Sequence, residues 1–308
     1  MSRSSFLFAL ALVGLSTALC PADLILEDYA PQRNDRYYQG ADRAFIGDGY
    51  NFSGVGKTGN PLTATNTQWA TLISPHFALS ARHAPASGTV TFYPGNDPTA
   101  TPVIATVSGQ YAIPGMTAGE SDLELIQFDG PAHQGVMGVS QYALVEDNEA
   151  ALLNQQIFVY GQGNRLGTNN IDFFGLQTGI IGAKDTYALY YSYNPTNGNP
   201  NEAELNANDS GGPSFVIGQG NQLALVGIHS FVGTDDVTKI DFSGDTYVSH
   251  YLPQLRSKIA ELDTQFGYND AILTVRAVPE PGSLVLLGLG GGLLAWKARK
   301  RRRAAAVV

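Results

Sequence analysis

Short apolar runs separated by turn residues make up most of the chain, and helical periodicity is scarce. Gln68-Trp69-Ala70-Thr71-Leu72-Ile73, closed by Ser74-Pro75, has the signature of a strand and its turn. Phe77-Ala78-Leu79-Ser80 predicts the next strand and carries the chain towards His83. Val90–Tyr93 and Val103–Val107 follow at hairpin spacing, and Leu123–Phe128 forms a further strand directly after Asp122. A second set of runs begins near Glu146. Gln156–Gly163 reads as a strand entering a glycine turn. Ser214–Ile217 and Leu223–Ser230 flank Gly218-Gln219-Gly220-Asn221 as a β-hairpin. Only the stretch from Tyr247 to Phe266 departs from this rhythm. Tyr251, Leu252, Leu255, Ile259 and Leu262 are spaced as one face of an amphipathic helix.

The pattern divides the chain into a polar extended arm (23–44), a first β module (45–145), a second β module ending in the helix (146–266) and a linker (267–278). Composition agrees: 308 residues, 44% hydrophobic, with 35 Gly, 15 Tyr and 14 Phe, suit a β-rich globular chain with many turns.

Both ends read as targeting segments. Arg3, the run Phe6–Val13 and the small residues up to Ala22 have the layout of a secretory signal peptide, residues 1–22. Cys20, the only cysteine, lies inside it, so removal of the signal leaves a domain without disulfides. Ala18-Leu19 before that cysteine is a weak lipoprotein pattern. At the other end Pro279-Glu280-Pro281 precedes a short apolar stretch, Leu284–Trp296, and then Lys297–Arg303. That stretch is short for a spanning helix, which needs about 20 residues, and the basic cluster would hold its end on the cytoplasmic side. The tail, residues 279–308, serves as a sorting segment or an ordinary membrane anchor.

These ends also mask the charge of the working domain. The whole chain carries −9, but six basic residues and Glu280 lie in the tail and Arg3 in the signal. Residues 23–278 keep 11 basic and 26 acidic side chains, a net −15. So acidic a surface repels phosphates and argues against a nucleic-acid partner; it also serves solubility.

Candidate chemistry centres on Asn208-Asp209-Ser210-Gly211-Gly212-Pro213, a serine on a glycine-rich turn. A serine hydroxyl becomes a useful nucleophile only beside a histidine base whose tautomer an acid fixes. Ala81-Arg82-His83-Ala84 and Ser121-Asp122-Leu123 supply one candidate for each role, in the order His83, Asp122, Ser210. His76, His133 and His250 have no motif around them and read as surface or turn residues. Asp235, Asp236, Asp241 and Asp245 are loosely grouped without EF-hand spacing and read as a solvated acidic loop. CxxC, HExxH, P-loop and dinucleotide patterns are missing, so no cofactor or metal is expected.

Leu72–Ala84 with its terminal Ala81-Arg82-His83, Asp122-Leu123-Glu124-Leu125-Ile126, Tyr160-Gly161-Gln162-Gly163 and Asn208–Pro213 together resemble the motifs of trypsin-like (chymotrypsin-fold) serine proteases, over residues 45–266. The resemblance implies an all-β fold of two six-stranded antiparallel β-barrels with a C-terminal helix. Catalytic His83 and Asp122 would lie on the first barrel and Ser210 on the second. It implies an oxyanion hole from the backbone N–H groups of Asn208 and Ser210, with Asn208 standing where the family usually has glycine. It places Glu204, His229, Ser230 and Val232 around the substrate pocket. Glu204 would favour a basic side chain and His229 an acidic one, so no cleavage preference follows; His229 is equally a packed strand histidine. Arg82 and Glu124 either pair or sit on opposite strand faces. The family often buries a freshly cut Ile-Val terminus against the residue equivalent to Asp209; here Phe45-Ile46-Gly47-Asp48 is the nearest match.

The Pro-Glu-Pro tail resembles the PEP-CTERM sorting signal of Gram-negative bacteria, implying handling by an exosortase-type enzyme. The expectations are export across the inner membrane, transient anchoring through the tail, a periplasmic, cell-surface or extracellular location, and a protein or peptide substrate. The competing reading is a non-catalytic protease-fold protein that binds a partner. An α/β-hydrolase esterase does not fit, because Gly-x-Ser-x-Gly is absent and the chain order of the three residues differs.

Overall fold

The computed structural model describes residues 23–277 except 61, 63–66, 116–119, 130–134, 180–184, 197 and 236–237. The expected signal peptide, the segment 279–308 and His133 lie outside the described residues. The arm contributes β1 (Ile25–Leu26) and a short turn of helix, α1 (Pro31–Asn34). Six strands follow: β2 (Val55–Thr58), β3 (Trp69–Leu72), β4 (Phe77–Ala81), β5 (Thr89–Phe92), β6 (Val103–Pro114) and β7 (Glu120–Asp129). They close into an antiparallel barrel in the order β2-β3-β4-β7-β6-β5.

Period-two alternation decides which way each side chain faces. On β7, Ile126 and Phe128 join Leu72, Ala78, Val90 and Phe92 in one apolar cluster. Leu123 and Leu125 face the other way, into a cluster shared with Tyr160, Phe215, Ile228 and Leu255 of the second module. That strand is therefore buried along most of its length, and Asp122 enters the interior with it.

The second module comprises β8 (Ala143–Val145), α2 (Glu149–Leu152), β9 (Gln156–Gly161), β10 (Arg165–Asn170), β11 (Phe173–Thr178), β12 (Asp185–Tyr193), β13 (Ala203–Glu204), β14 (Pro213–Gly218), β15 (Gln222–Thr234), β16 (Asp241–Tyr247), α3 (Leu252–Phe266) and β17 (Thr274–Val275). Its nine-stranded sheet runs β10-β9-β14-β15-β16-β12-β11, with β8 parallel to β15 and to β17. The sheet curls until β10 meets β12. There Asn169 Nδ2 donates to Ser192 O and Ala203 O, each at 2.9 Å. Ser192 lies on β12 and Ala203 on β13, and Thr168 N–H adds a backbone bond to Asn201 O at 2.7 Å beside them.

The helix starts later than the periodicity predicts. Val248–Tyr251 forms a 3-10 turn, and α3 begins with Pro253 in its first turn, where the missing N–H costs nothing. Leu252, Leu255, Ile259 and Leu262 face the core as expected, and Gly267 at φ 75° ends the helix.

Other segments differ from the sequence expectation as well: Ala143–Val145, expected at the end of the first module, forms β8 in the second sheet. The arm is docked, with β1 paired to β13 and both Leu24 and Leu26 in the second core. The stretch after α3, expected as a linker, is a strap across both modules. β17 pairs with β8, while the Tyr268 ring stacks on His76 with centroids 3.8 Å apart. Asp270 accepts from Ser74 Oγ at 2.5 Å and the His76 backbone at 3.0 Å, and lies 2.9 Å from His76 Nδ1. His76, expected at the surface, is buried because the strap covers it. His250 is half-buried against Tyr187.

Asn169→Ala leaves two carbonyls at the β10–β12 junction without their donor. The expected loss is about 1–3 kcal/mol, read as a lower urea midpoint with an unchanged slope.

Candidate active site

His83 lies two residues past the end of β4, and β4 pairs with β7 so that Ala81 opposes Leu123. This register brings His83 beside Asp122. The buried Asp122 carboxylate accepts from the His83 backbone N–H at 3.0 Å and lies 2.8 Å (Oδ2) and 2.9 Å (Oδ1) from His83 Nδ1. A carboxylate only accepts, so Nδ1 carries the proton and Nε2 presents its lone pair. Ser210 Oγ is 2.8 Å from Nε2, so the hydroxyl donates to the imidazole. The three residues singled out in the sequence thus meet in one hydrogen-bonded row at the seam between the modules.

A fourth member is Ser230, whose Oγ donates to Asp122 Oδ2. The β15–β16 register shifts between His229 and Phe231. Ser230 occupies that bulge, which turns its side chain towards the first barrel. The resemblance placed Ser230 around the substrate pocket, but the sequence carried no signal of a bond to Asp122. Arg82, beside His83, pairs with Glu120 at 3.2 Å and Glu124 at 3.3 Å. Burial pushes the Glu124 carboxyl up to about 7, with Arg82 opposing.

The serine turn is held from beneath. Asn208 has φ 78° and Gly211 φ 87°, both left-handed. Asn tolerates that region better than other side chains, which explains its presence in a glycine position. Its carbonyl accepts from Gln162 Nε2 at 2.8 Å and Trp69 Nε1 at 3.3 Å. Asp209, fully buried, accepts from the backbone N–H groups of Gln162 (2.6 Å) and Asn206 (2.7 Å). A Cβ at position 161 would lie 2.5 Å from Asp209 Oδ1, so Gly161 is required there. Among the described residues, the backbone N–H groups of Asn208 and Ser210 find no acceptor within the chain.

Burial pushes Asp209 up to about 6 despite its two donors. Lys57 is buried nearby, its ammonium 4.0 Å from the Trp69 ring centroid and donating to Gln162 Oε1 at 3.3 Å. Burial brings this amine down to about 7, against the pull of Asp209 and Asp23.

A cavity of about 430 Å³ opens beside His83, lined by Gln177, Gly179, Ser230, Phe231, Val232, Gly233 and Phe242. Ser230 and Val232, expected around a substrate pocket, line this cavity. Glu204 does not line this cavity. It sits half-buried on β13, where burial and then Asp241 push its carboxyl up to about 7. His229 must be corrected. It is wholly buried, with Nδ1 2.8 Å from Asp245 Oδ1 and Nε2 3.2 Å from Tyr160 O, so neither nitrogen faces a substrate. The packed-histidine alternative describes it. Asp245 likewise leaves the supposed acidic loop for the core, and Asp236 lies outside the described residues. Among the described residues no cluster of His, Cys, Asp and Glu suits a metal ion.

The closed barrel and the second sheet define a chymotrypsin-type architecture. The trypsin family model matches residues 61–255, more than half of the chain, so this protein belongs to the trypsin family. The PEP-CTERM protein-sorting motif matches residues 277–303, marking an exported protein with a C-terminal sorting signal. No curated protein matches the chain. No helix among the described residues is long and apolar enough to cross a membrane.

Because the Lys57 amine is depressed to about 7 from 10.5, the folded protein binds fewer protons there than the unfolded chain between those values. Stability contributed at this site rises with pH across that window. Relative to Lys57→Met, the wild type gains on the order of a few kcal/mol from pH 7 to 10.5, measured by urea denaturation at each pH. At Asn208, glycine should preserve the turn. Asn208→Val puts a β-branched side chain at positive φ and should cost about 1–3 kcal/mol in thermal or urea melts.

Proposed function

We propose that this protein is an exported serine endopeptidase that cleaves peptide bonds through an acyl-enzyme intermediate. The observation that carries this reading is the 2.8 Å contact from Ser210 Oγ to His83 Nε2, with Asp122 on the far nitrogen. His83 takes the serine proton as Oγ attacks the carbonyl carbon, and Asp122 stabilises the resulting imidazolium. The N–H groups of Asn208 and Ser210 receive the carbonyl oxygen as it gains charge; one such donor is typically worth about 2.7–4 kcal/mol in the barrier. His83 then protonates the leaving amine. Water enters and repeats the sequence on the acyl-serine.

Two features support a turn that forms without a freshly cut terminus. Asp209 already has two backbone donors, and Asn208 adopts the conformation that glycine supplies elsewhere in the family. The binding-protein alternative drew on Asn208 and loses that support. Among the described residues lining the cavity beside His83, only His83 itself is ionisable, which favours an uncharged, apolar substrate side chain there over a basic or acidic one. Before release the tail anchors the chain in the inner membrane, and an exosortase-type enzyme acts at Pro279-Glu280-Pro281. The working location is then periplasmic, cell-surface or extracellular, with protein or peptide substrates.

A fluorophosphonate probe should label the mature domain, and Ser210→Ala should abolish labelling. Asp122→Asn should lower peptide turnover by about 10⁴-fold with little change in fold. A folded, processed wild type that takes up no probe would remove the hydrolase reading.

A further inference from the structure

We propose that His229 is a positioning residue for the nucleophile: a buried imidazolium, clamped between Asp245 and the Tyr160 carbonyl, that fixes the turn bearing Ser210. The inference rests on the endopeptidase reading only for its effect on catalysis.

The argument begins with hydrogen-bond chemistry. Both ring nitrogens face oxygen acceptors, Asp245 Oδ1 at 2.8 Å and Tyr160 O at 3.2 Å. A neutral imidazole donates from one nitrogen and would set the other's lone pair against an oxygen. Inside a water-free core that mismatch is costly, so the ring keeps both protons. The cation is also needed by its surroundings. Asp245 is fully buried, and its Oδ2 has no hydrogen-bond donor. Tyr191 on β12 gives Asp245 Oδ1 a bond at 3.3 Å, and Asp209 adds a further negative charge from the turn. Lys57 on β2 faces Asp209, and its own positive charge is weakened by burial. His229 is thus the cation that two buried carboxylates share. Burial draws its pKa down, but Asp245, Asp209 and the Tyr160 carbonyl more than offset this, and the net direction is up.

The link to Ser210 runs through the backbone. His229 O accepts from Gly211 N and His229 N donates to Gly212 O, both at 2.8 Å. The ring packs against the same turn: a Cβ on Gly212 would come within 2.7 Å of His229 Cδ2. Ser230, next in the chain, bonds Asp122. One two-residue step of β15 therefore holds the nucleophile turn with one residue and the carboxylate behind His83 with the other.

Because the folded pKa of His229 is raised, the stability it supplies is full below about pH 6.5 and is lost as pH climbs through the folded value. Two-dimensional ¹⁵N NMR of the wild type at pH 7–8 should show one histidine, absent in His229→Gln, with both nitrogens protonated. In His229→Gln, kcat and the fluorophosphonate rate should fall at least 10-fold with KM nearly unchanged, and residues 206–213 should exchange amide hydrogens faster. His229→Gln/Asp245→Asn, which neutralises both partners, should recover most of the loss. A single-proton NMR signature for His229 overturns the proposal, as does a folded His229→Gln with wild-type labelling and exchange. If His229→Gln does not fold, the wild-type NMR signature and the double variant decide. If wild type takes up no probe, the hydrolase reading fails separately, and the NMR and exchange measurements still judge the imidazolium clamp.

Discussion

Burial of charge at the seam between two β modules is the constraint on which this structure depends. Asp122, Asp209, Asp245 and His229 are fully buried, and Lys57 and Glu124 nearly so. An isolated ion in such surroundings costs many kcal/mol, so each group needs a partner in fixed geometry. The partners come from both sides of the seam. Asp122 sits on the first barrel but receives Ser230 from β15. Lys57 sits on β2 but donates to Gln162 at the end of β9. Separating the modules would strand these groups, so the hydrogen-bonded row and the docking of the two halves stand or fall together.

The same logic explains why the chain's ends matter. The arm adds Leu24 and Leu26 to the second core, and the strap from Tyr268 to Ala277 crosses from His76 on the first module to β8 and β17 on the second. Asp270 serves as acceptor for Ser74 and for the His76 backbone. These segments carry no chemistry in the cleft. They close the two modules against each other without any disulfide, the chain's single cysteine lying at position 20.

Much of the site was legible because its demands are local. Ser210 needs a tight turn, and Asn208–Pro213 writes one in glycine and asparagine. His83 and Asp122 sit at the ends of apolar runs that are visible as strands. The helix was legible from its buried stripe, apart from its 3-10 start. What stayed hidden included strands of weak intrinsic preference, the tyrosine-rich β12 and groups whose meaning is non-local. Arg165–Asn170 is rich in Gly and Asn, yet forms β10 because β9 and the Asn169 bonds hold it there. Ser230 bonds Asp122 only because a bulge turns it, and Asp245, grouped with loop acids in the sequence, lies on a strand that enters the core.

The sequence alone determined the class of fold, the three candidate residues for proton transfer and the sorting tail, since each is encoded in contiguous motifs of fixed chemistry. Tertiary structure decided which ionisable side chains face the cleft and which are sealed beneath it. His229 and Glu204 lost their assigned places in the pocket by that criterion. The reason is physical: period two sets how side chains alternate along a strand, but which face meets solvent depends on what packs against it, and that packing is not written in local spacing.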